Sequence, residues 1–430
     1  MTYSEPQLPQ RLLKFIAQAV SPYHTVKSSI AMLKAAGFQE LRSDEPWQIQ
    51  PQHSYYISVY DSSLVAFTVG ANPRANLRIA ATHTDFPCLR VKPAAAMAQH
   101  GYGKLNVELY GGMIRESWLD RPLSLAGKVV MHGHNPFNPS VSLMDASRPI
   151  LTIPRLAIHM NSHVNDGVAL NPQKDMLPLM TLTGQDTEPD YFLAFLADAC
   201  SCQKQDILSY DLTVYPWEQG CLMGLHNELI SSPRLDNLTS VYACMDSLIQ
   251  TKNQDGLHMA VLFDNEEVGS RTKQGALSLL FPSLLESIYE GLSYTRQDFR
   301  IDLSKAFVLS ADVAHAMHPN VPEKCDPTNM PILGQGVALK IAASQSYASD
   351  AEATATIIDL CRSAHIPYQN FVNRSDMRGG STIGSLLSSH LPVRTMDIGI
   401  PILAMHSARE LMGTADQASL HRLISAFFSA

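Results

Sequence analysis

The stretch HMAVLFDNEEVGS, residues 258–270, joins an apolar run to a group of carboxylates. The run HMAVLF shows no regular alternation of apolar and polar residues, which is typical of a strand covered on both faces. Asp264, Glu266 and Glu267 follow it at once. Like charges repel, so this grouping indicates either a solvated surface pair or carboxylates whose charge is offset by bound cations.

Three further runs have the same character. They are LRIAATH (77–83), KAFVLS (305–310) and VRTMDIG (393–399). Segments with helical spacing of apolar residues lie between them and at both ends of the chain, within the first 40 residues, after SPRLDN (232–237), and near 275–292, 350–364 and 416–428. Strands that alternate with helices predict an α/β fold with a central, mostly parallel sheet sandwiched by helices.

The middle of the chain has a different pattern. Short alternating runs such as KLNVELY (104–110) place Leu105, Val107 and Leu109 on one side, and turn sequences separate these runs. One helix is predicted at EPDYFLAFLADAC (188–200). We therefore predict a discontinuous α/β domain, residues 1–92 and 233–430, interrupted by an inserted β-rich domain, residues 93–232.

Composition excludes several classes of partner. The 430 residues include 45% hydrophobic and 17% charged residues, and the formal net charge is −8, which gives no electrostatic basis for binding nucleic acid or an anionic membrane. No apolar stretch approaches the ~18 residues that a membrane span requires, and MTYSEPQLPQ (1–10) lacks the features of a signal peptide. Seven scattered cysteines fit reduced thiols. We expect a soluble, cytoplasmic protein.

Each of the four predicted strands leads to a potential metal ligand. These side chains are His83 with Asp85, Glu266 with Glu267, Asp312, and, one short loop beyond its strand, His406. The carboxyl ends of neighbouring parallel strands meet at one edge of a sheet, so residues far apart in sequence can converge there. Asp236, just before a helix, can join them.

Every one of these residues also has an ordinary structural interpretation. His83 can be a hydrogen-bonded core histidine, Asp236 a helix N-cap, the glutamates a solvated pair, and Asp312 a turn residue. Their combination at successive strand ends favours a metal site. In the His83-x-Asp85 pair, one ring nitrogen can bind a metal while the carboxylate accepts a hydrogen bond from the other.

The residues suffice for a two-metal centre. We assign Asp236 as the bridging carboxylate, His83 and Asp312 to one metal, and Glu267 and His406 to the other. Glu266 then stays available as the base that takes a proton from the shared water. Nitrogen and oxygen ligands of this kind suit zinc, and also cobalt or manganese. Asp264 has no role in this scheme.

A set of motifs in this order resembles one family of enzymes. The motifs are THTDFPCLRVKP (82–93), SPRLDN (232–237), DNEEVGS (264–270), SADVAHAMHPN (310–320), SDMRGGSTIG (375–384) and AMHSARE (404–410). Together they resemble the aspartyl aminopeptidase family of co-catalytic zinc metallopeptidases, and the likeness extends from SPYHTV (21–26) to AMHSARE.

The resemblance implies a zinc-peptidase-like catalytic domain with two zinc ions per subunit and the ligands named above. Glu266 matches the family's catalytic glutamate. The inserted domain corresponds to an oligomerisation and substrate-capping domain, and the implied assembly is a tetrahedral homododecamer. His159 in IPRLAIHMN (153–161) matches a histidine that reaches a neighbouring subunit's active site and is a possible alternative zinc ligand.

The implied substrates are peptides, with a preference for N-terminal Asp or Glu. Lys340 and Tyr347 match positions near the family's substrate pocket, and Lys340 is either its cationic group or a structural surface lysine. Cys325, Met330 and Asp350 depart from the family pattern, which puts side-chain preference and subunit contacts in question. Two alternatives stay open: a related zinc amidohydrolase or deacylase, and a non-catalytic assembly protein on the same fold.

Overall fold

The computed structural model describes residues 7–184, 190–377 and 379–430. In these residues the predicted central sheet is present and has nine strands. In chain order the strands are β1 (Gln39–Glu40), β2 (Ser54–Val59), β3 (Ser63–Val69), β4 (Leu77–His83), β5 (Cys88–Gln99), β6 (Tyr102–Tyr110), β7 (Leu123–Asn135), β8 (Asn138–Asp145), β9 (Leu179–Leu182), β10 (Ile207–Pro216), β11 (Cys221–Met223), β12 (Leu229–Ser232), β13 (Leu257–Phe263), β14 (Phe307–Ala311), β15 (Ala314–His315), β16 (Val337–Lys340), β17 (Tyr368–Phe371), β18 (Arg394–Gly399), β19 (Pro401–Leu403) and β20 (Glu410–Gly413).

Each segment predicted to be helical contains a helix, and three further helices among the described residues, Pro172–Asp175, Arg296–Leu303 and Ile383–His390, lie outside the predicted segments. The helices are α1 (Leu8–Gln18), α2 (Pro22–Ala35), α3 (Pro172–Asp175), α4 (Tyr191–Cys200), α5 (Leu235–Gln250), α6 (Leu280–Gly291), α7 (Arg296–Leu303), α8 (Ala351–Ser363), α9 (Ile383–His390) and α10 (Thr414–Ser429). Residues 188 and 189 of the predicted helix 188–200 lie outside the described residues. None of the helices in the described ranges is both long and apolar enough to cross a bilayer.

The nine-stranded sheet has the order β1-β2-β3-β13-β4-β14-β18-β16-β17. Its four central neighbours, β13, β4, β14 and β18, are the four strands that sequence analysis predicted, and they pair in parallel. Phe263 lies opposite His83, and Ser310 lies opposite Ala81. Their carboxyl ends therefore meet at one edge of the sheet, as expected.

Both faces of these strands are buried. On β13, Ala260 and Leu262 belong to a core that includes residues of α1, α2, α5, α8 and α10. Met259, Val261 and Phe263 belong to a second core, which includes residues of α6 and α9. Successive side chains of a strand point to opposite faces, so helices on both sides explain why the run is apolar without alternation. The predicted α/β fold class is confirmed.

Local capping stabilises the starts of two helices. At α2, the Ser21 side chain accepts the N–H of His24 at 3.3 Å. At α8, the Asp350 carboxylate accepts the N–H of Ala353 at 2.7 Å. Aspartate is a good N-cap, so the presence of aspartate at position 350 has a local structural explanation.

The chain divides into two compact units. The first contains residues 1–85, 220–405 and 410–430, and the second contains residues 86–219 and 406–409. The second unit thus begins at 86, where the predicted insert begins at 93, and its main segment ends at 219 instead of 232. The reason is local pairing: β5 begins at Cys88, while β11 and β12 join a five-stranded sheet of order β11-β12-β20-β19-β15 in the first unit.

The second unit is built on a six-stranded sheet of order β8-β7-β10-β5-β6-β9. Each of its neighbouring pairs is antiparallel. Leu105 and Val107, two of the three residues predicted to share a face, are buried in the core of this unit, where Phe192 and Leu196 of α4 are also buried. Leu109 packs against that core while partly exposed.

Candidate metal centre

Three predicted ligands converge at the carboxyl edge of the nine-stranded sheet. His83 ends β4, Asp312 follows β14, and Asp236 lies in the first turn of α5. The Nε2 atom of His83 is 3.6 Å from Oδ1 of Asp236 and 3.5 Å from Oδ1 of Asp312. All three side chains are buried. One imidazole nitrogen and two carboxylate oxygens at these distances form a group that can hold a metal ion.

The imidazole of His83 is oriented by Asp85. Its Nδ1–H donates to the backbone carbonyl of Asp85 at 3.0 Å, and Oδ1 of the same residue lies 3.3 Å from Nδ1. The His-x-Asp spacing predicted the Asp85 carboxylate as acceptor, but not the Asp85 backbone carbonyl. With the proton on Nδ1, the lone pair of Nε2 faces Asp236 and Asp312, which is the arrangement that a metal-ligating histidine needs.

Asp85 also holds the turn that carries both glutamates. Its Oδ1 accepts the N–H of Glu266 and its Oδ2 accepts the N–H of Glu267, each at 3.1 Å. The Asp85 side chain is completely buried. The sequence contained no signal for this contact, because the bonded residues are 181 and 182 positions apart.

Asp264, to which the sequence assigned no role, stabilises the same turn. Its Oδ1 accepts the N–H of Asn265 at 2.7 Å, and Nε2 of Gln274 donates to its Oδ2 at 3.3 Å. Asn265 has φ of 62°, in the left-handed region that asparagine tolerates better than most residues. This bend turns the chain from β13 into the short 3₁₀ helix Glu266–Val268.

Glu267 lies close to Asp236 within the first unit. A carboxylate oxygen of each lies within 4.8 Å of one from the other. Asp236 is therefore close both to the His83–Asp312 pair and to Glu267. In α5 the backbone of Asp236 is not helical, with φ of −77° and ψ of 107°.

The electrostatics of the site fit bound cations. Burial raises the pKa of Glu266 to about 8, and the nearby carboxylates of Asp312, Asp85 and Asp236 contribute to the rise. Burial alone would lower the pKa of His83, but the nearby carboxylates of Asp312, Asp85 and Glu266 raise it well above the usual value. Several buried carboxylates therefore surround one imidazole. Divalent cations that accept nitrogen and oxygen ligands would offset the negative charge of these carboxylates.

Lys340 is not the surface lysine that sequence analysis held open. It is only 2% exposed, and its Nζ lies 3.2 Å from Oδ2 of Asp312. Burial lowers the pKa of Lys340, but the charge of Asp312 outweighs this effect and raises it. Tyr347 is also buried; its ring centroid lies 5.3 Å from Nζ of Lys340, and its hydroxyl accepts Nδ2–H of Asn373 at 3.2 Å.

The two remaining predicted histidines belong to the second unit. His406 follows Met405 of the first unit directly, and its Nδ1–H donates to the carbonyl of Gly112 at 3.1 Å. This contact leaves the proton on Nδ1, as in His83. His159 is exposed in the short 3₁₀ helix Ile158–Met160. Within residues 7–184, 190–377 and 379–430, no group of potential metal ligands includes His159.

Comparison with known proteins identifies the family. The family model described as Aminopeptidase I zinc metalloprotease (M18) matches residues 15–428. A probable M18 family aminopeptidase 2 of Clostridium novyi (strain NT) is 44% identical over 422 residues, which cover 97% of this chain and 98% of that protein.

Solved structures agree. Ape4, from its cryo-EM complex with Nbr1, superposes with a TM-score of 0.94 at 34% identity, covering 99% of this chain and 86% of that chain. The mApe1 dodecamer of S. cerevisiae superposes with a TM-score of 0.86 at 26% identity, covering 99% and 97%. The resemblance read from the motifs is thereby confirmed: this chain belongs to the M18 family of aminopeptidases, which are zinc metalloproteases.

Proposed function

We propose that this protein removes the N-terminal residue of peptides with the help of two zinc ions per subunit. The observation that carries the proposal is the convergence of His83 Nε2 on Asp236 and Asp312, with Glu266 and Glu267 held beside them by Asp85. Cobalt and manganese accept the same ligands.

Each ligand has a proposed task. His83 and Asp312 would hold one ion, Glu267 and His406 would hold the other, and Asp236 would be shared by both. Asp236 suits the bridging task because its carboxylate lies near ligand atoms of both His83 and Glu267. His406 suits ligation because its Nδ1–H donates to Gly112, as Nδ1–H of His83 donates to Asp85. Two ions bound here would acidify a shared water and polarise the scissile carbonyl.

Glu266 is the proposed general base and acid. Its carboxylate accepts a proton from the attacking water and then donates it to the amine nitrogen that leaves when the peptide bond breaks. One feature supports this assignment: Asp85 accepts the backbone N–H of Glu266 and so holds it beside the proposed ligands.

A preference for N-terminal Asp or Glu is the finer part of the proposal. Lys340 is the cation that supports it, with Tyr347 beside it. Its charge is shared with Asp312, at 3.2 Å, so an acidic substrate side chain would have to compete with that carboxylate or join it around the ammonium group.

We also propose that the second unit mediates self-association into a tetrahedral dodecamer and that His159 reaches a neighbouring subunit's active site. The exposed apolar side chains beside His159 support an interface there. Leu156, Ile158 and Met160 are 53%, 55% and 72% exposed, and large apolar side chains this exposed are typical of protein–protein contacts.

The test is a substrate series on the zinc-loaded protein. Chromogenic amides of Asp, Glu, Leu and Lys should all require a free amine, and the Asp and Glu amides should give the highest kcat/KM. Hydrolysis of N-acetylated amides in preference to free amines would instead identify a deacylase. Bound zinc, counted by elemental analysis, should be two equivalents per subunit, and a chelator should abolish turnover.

A further inference from the structure

The side chain of Asn237 joins the ends of two strands that carry proposed ligands. Its Nδ2 donates to Oγ1 of Thr82 at 3.0 Å and to the backbone carbonyl of Ala311 at 2.9 Å. Thr82 immediately precedes His83, and Ala311 immediately precedes Asp312. Asn237 itself is completely buried. One amide group therefore links the residues before two ligands that lie on different strands.

This link lies where the two strands stop pairing with each other. The β4–β14 register runs from Arg78 opposite Phe307 to Ala81 opposite Ser310. Beyond it, each strand is bonded to its other neighbour. The N–H of Thr84 donates to Phe263 of β13 at 2.8 Å, and the N–H of Asp312 donates to Ile398 of β18 at 2.9 Å. Asn237 thus spans the point at which β4 and β14 part.

Asn237 is also the chain neighbour of the third ligand, Asp236. On the other side of that residue, the buried Glu410 accepts the N–H of Asp236 through Oε2 at 3.0 Å. Asp236 is therefore held between two anchors, the carboxylate of Glu410 and the amide of Asn237. The Asn237 side chain thus bonds the residues that precede His83 and Asp312, while its backbone directly follows Asp236.

We propose that Asn237 is a positioning residue for the metal centre, which sets the separation of His83, Asp236 and Asp312. The inference rests on the proposed metal-binding function. It depends on the donors of the amide: its nitrogen bonds to both Thr82 and Ala311, whereas Oδ1 has no hydrogen-bond partner among the described residues. Aspartate has nearly the same shape but no donor, so it would present oxygen to the Ala311 carbonyl.

The experiment measures zinc affinity of the full-length protein, by titrating Zn²⁺ against a chromophoric chelator after metal removal. Outer-shell partners of metal ligands typically affect affinity by about 10–100-fold, and we expect a loss in that range for both Asn237→Asp and Asn237→Ala. Asn237→Asp removes the donor and also adds a negative charge, which by itself would favour cation binding. Asn237→Ala removes the donor without adding charge, so it shows the effect of the lost donor alone. Thr82→Val removes one of the two acceptors and should give a smaller loss.

The chain offers a matched control in Asn253. Its Nδ2 also donates to a threonine hydroxyl and to backbone carbonyls, namely Oγ1 of Thr68 at 3.1 Å, the carbonyl of Thr68 at 2.9 Å and that of Gly256 at 3.2 Å. These contacts lie just before β13 begins, at the end of that strand remote from Glu266. Asn253→Asp should leave zinc affinity within about twofold of the parent, whatever its effect on unfolding.

Three results would overturn the inference. The first is parent-like zinc affinity in both Asn237 variants, and the second is an equal loss of affinity in Asn253→Asp, which would indicate general destabilisation. If circular dichroism shows that the Asn237 variants do not fold, Thr82→Val takes their place. The third result is then an unchanged zinc affinity of Thr82→Val. A parent protein that binds no zinc would instead overturn the proposed function, and the inference with it.

Discussion

The N–H of Glu266 donates to the carboxylate of Asp85 at 3.1 Å, and the same carboxylate lies 3.3 Å from Nδ1 of His83. One buried side chain therefore touches both a proposed metal ligand and the backbone of the proposed base. Any change in Asp85 should affect metal binding and proton transfer together. The proposed roles of Glu266 and Asp85 can be separated, because only Glu266 acts on the proton of the water.

Glu266→Gln should reduce kcat strongly while zinc stays bound. Glutamine keeps the shape and the backbone N–H that Asp85 accepts, but it cannot take a proton. General base catalysis typically contributes about 10²–10⁴-fold, so we expect a loss of kcat in that range. Steady-state kinetics and elemental analysis check the two parts, with the exposed, similarly charged Glu323→Gln as control. Retained activity in Glu266→Gln would refute the assignment.

Asp85→Asn should weaken zinc binding and lower kcat at the same time. One carboxylate oxygen becomes an NH₂ group, which must face either Nδ1–H of His83 or one of the two N–H groups of the glutamate turn. A donor facing a donor is unfavourable, so we expect losses of about 10–100-fold in affinity or activity.

The control for this variant is Asp255→Asn. Asp255 also accepts a backbone N–H, that of Asn72 at 3.0 Å, but it is exposed in the loop before β13. Its variant should retain zinc affinity and kcat. If Asp85→Asn changed kcat without any change in zinc affinity, the contact with His83 would not matter for binding.

Lys340→Met should reduce the preference for acidic substrates. Methionine fills much of the same buried volume without the charge that is shared with Asp312. The ratio of kcat/KM for Asp over Leu amides should fall by about tenfold, the effect of ~1.4 kcal/mol of lost charge interaction. Lys273→Met is the control, because Lys273 also lies over a tyrosine ring, that of Tyr60 at 3.7 Å. An unchanged ratio in Lys340→Met would exclude Lys340 as the specificity determinant.

Asp416 should make folding stability depend on pH. Burial raises its pKa from 3.8 to about 6, although backbone N–H groups of Gly334, Gly336 and Gly413 oppose the rise. The folded state therefore binds a proton more tightly than the unfolded state. Its contribution to stability is complete below pH ~4 and is lost as the pH rises through about 6, by at most ~3 kcal/mol.

The asparagine side chain in Asp416→Asn cannot titrate, so this variant should lack the pH-dependent contribution of Asp416 to folding stability. The free energy of unfolding of the parent minus that of the variant, measured by urea denaturation of metal-free protein, should decrease between pH 4 and pH 7. Subtraction of the two proteins cancels the titration of all other groups. A difference that stays constant or increases over this range would contradict the raised pKa of Asp416.

Sequence reasoning predicted the four central strands because their signal is local. A strand buried on both faces must be apolar along its whole length, and each of the four runs is. It was less accurate at the edges of the second unit, because β12 pairs with β20, far along the chain, and β11 pairs with β12. Nothing in residues 221–232 indicates that β20 is a partner.

In the candidate site, too, some features could be predicted from the sequence and others could not. The sequence by itself determined which side chains can ligate a metal and that several follow strand ends, because chemical type and strand position are properties of short segments. Only the tertiary structure decided that Asp85 bonds the glutamate turn, that Lys340 is buried against Asp312, and that Asn237 joins Thr82 to Ala311. These contacts connect residues from 28 to 182 positions apart, and packing of the whole sheet brings their atoms within hydrogen-bond distance.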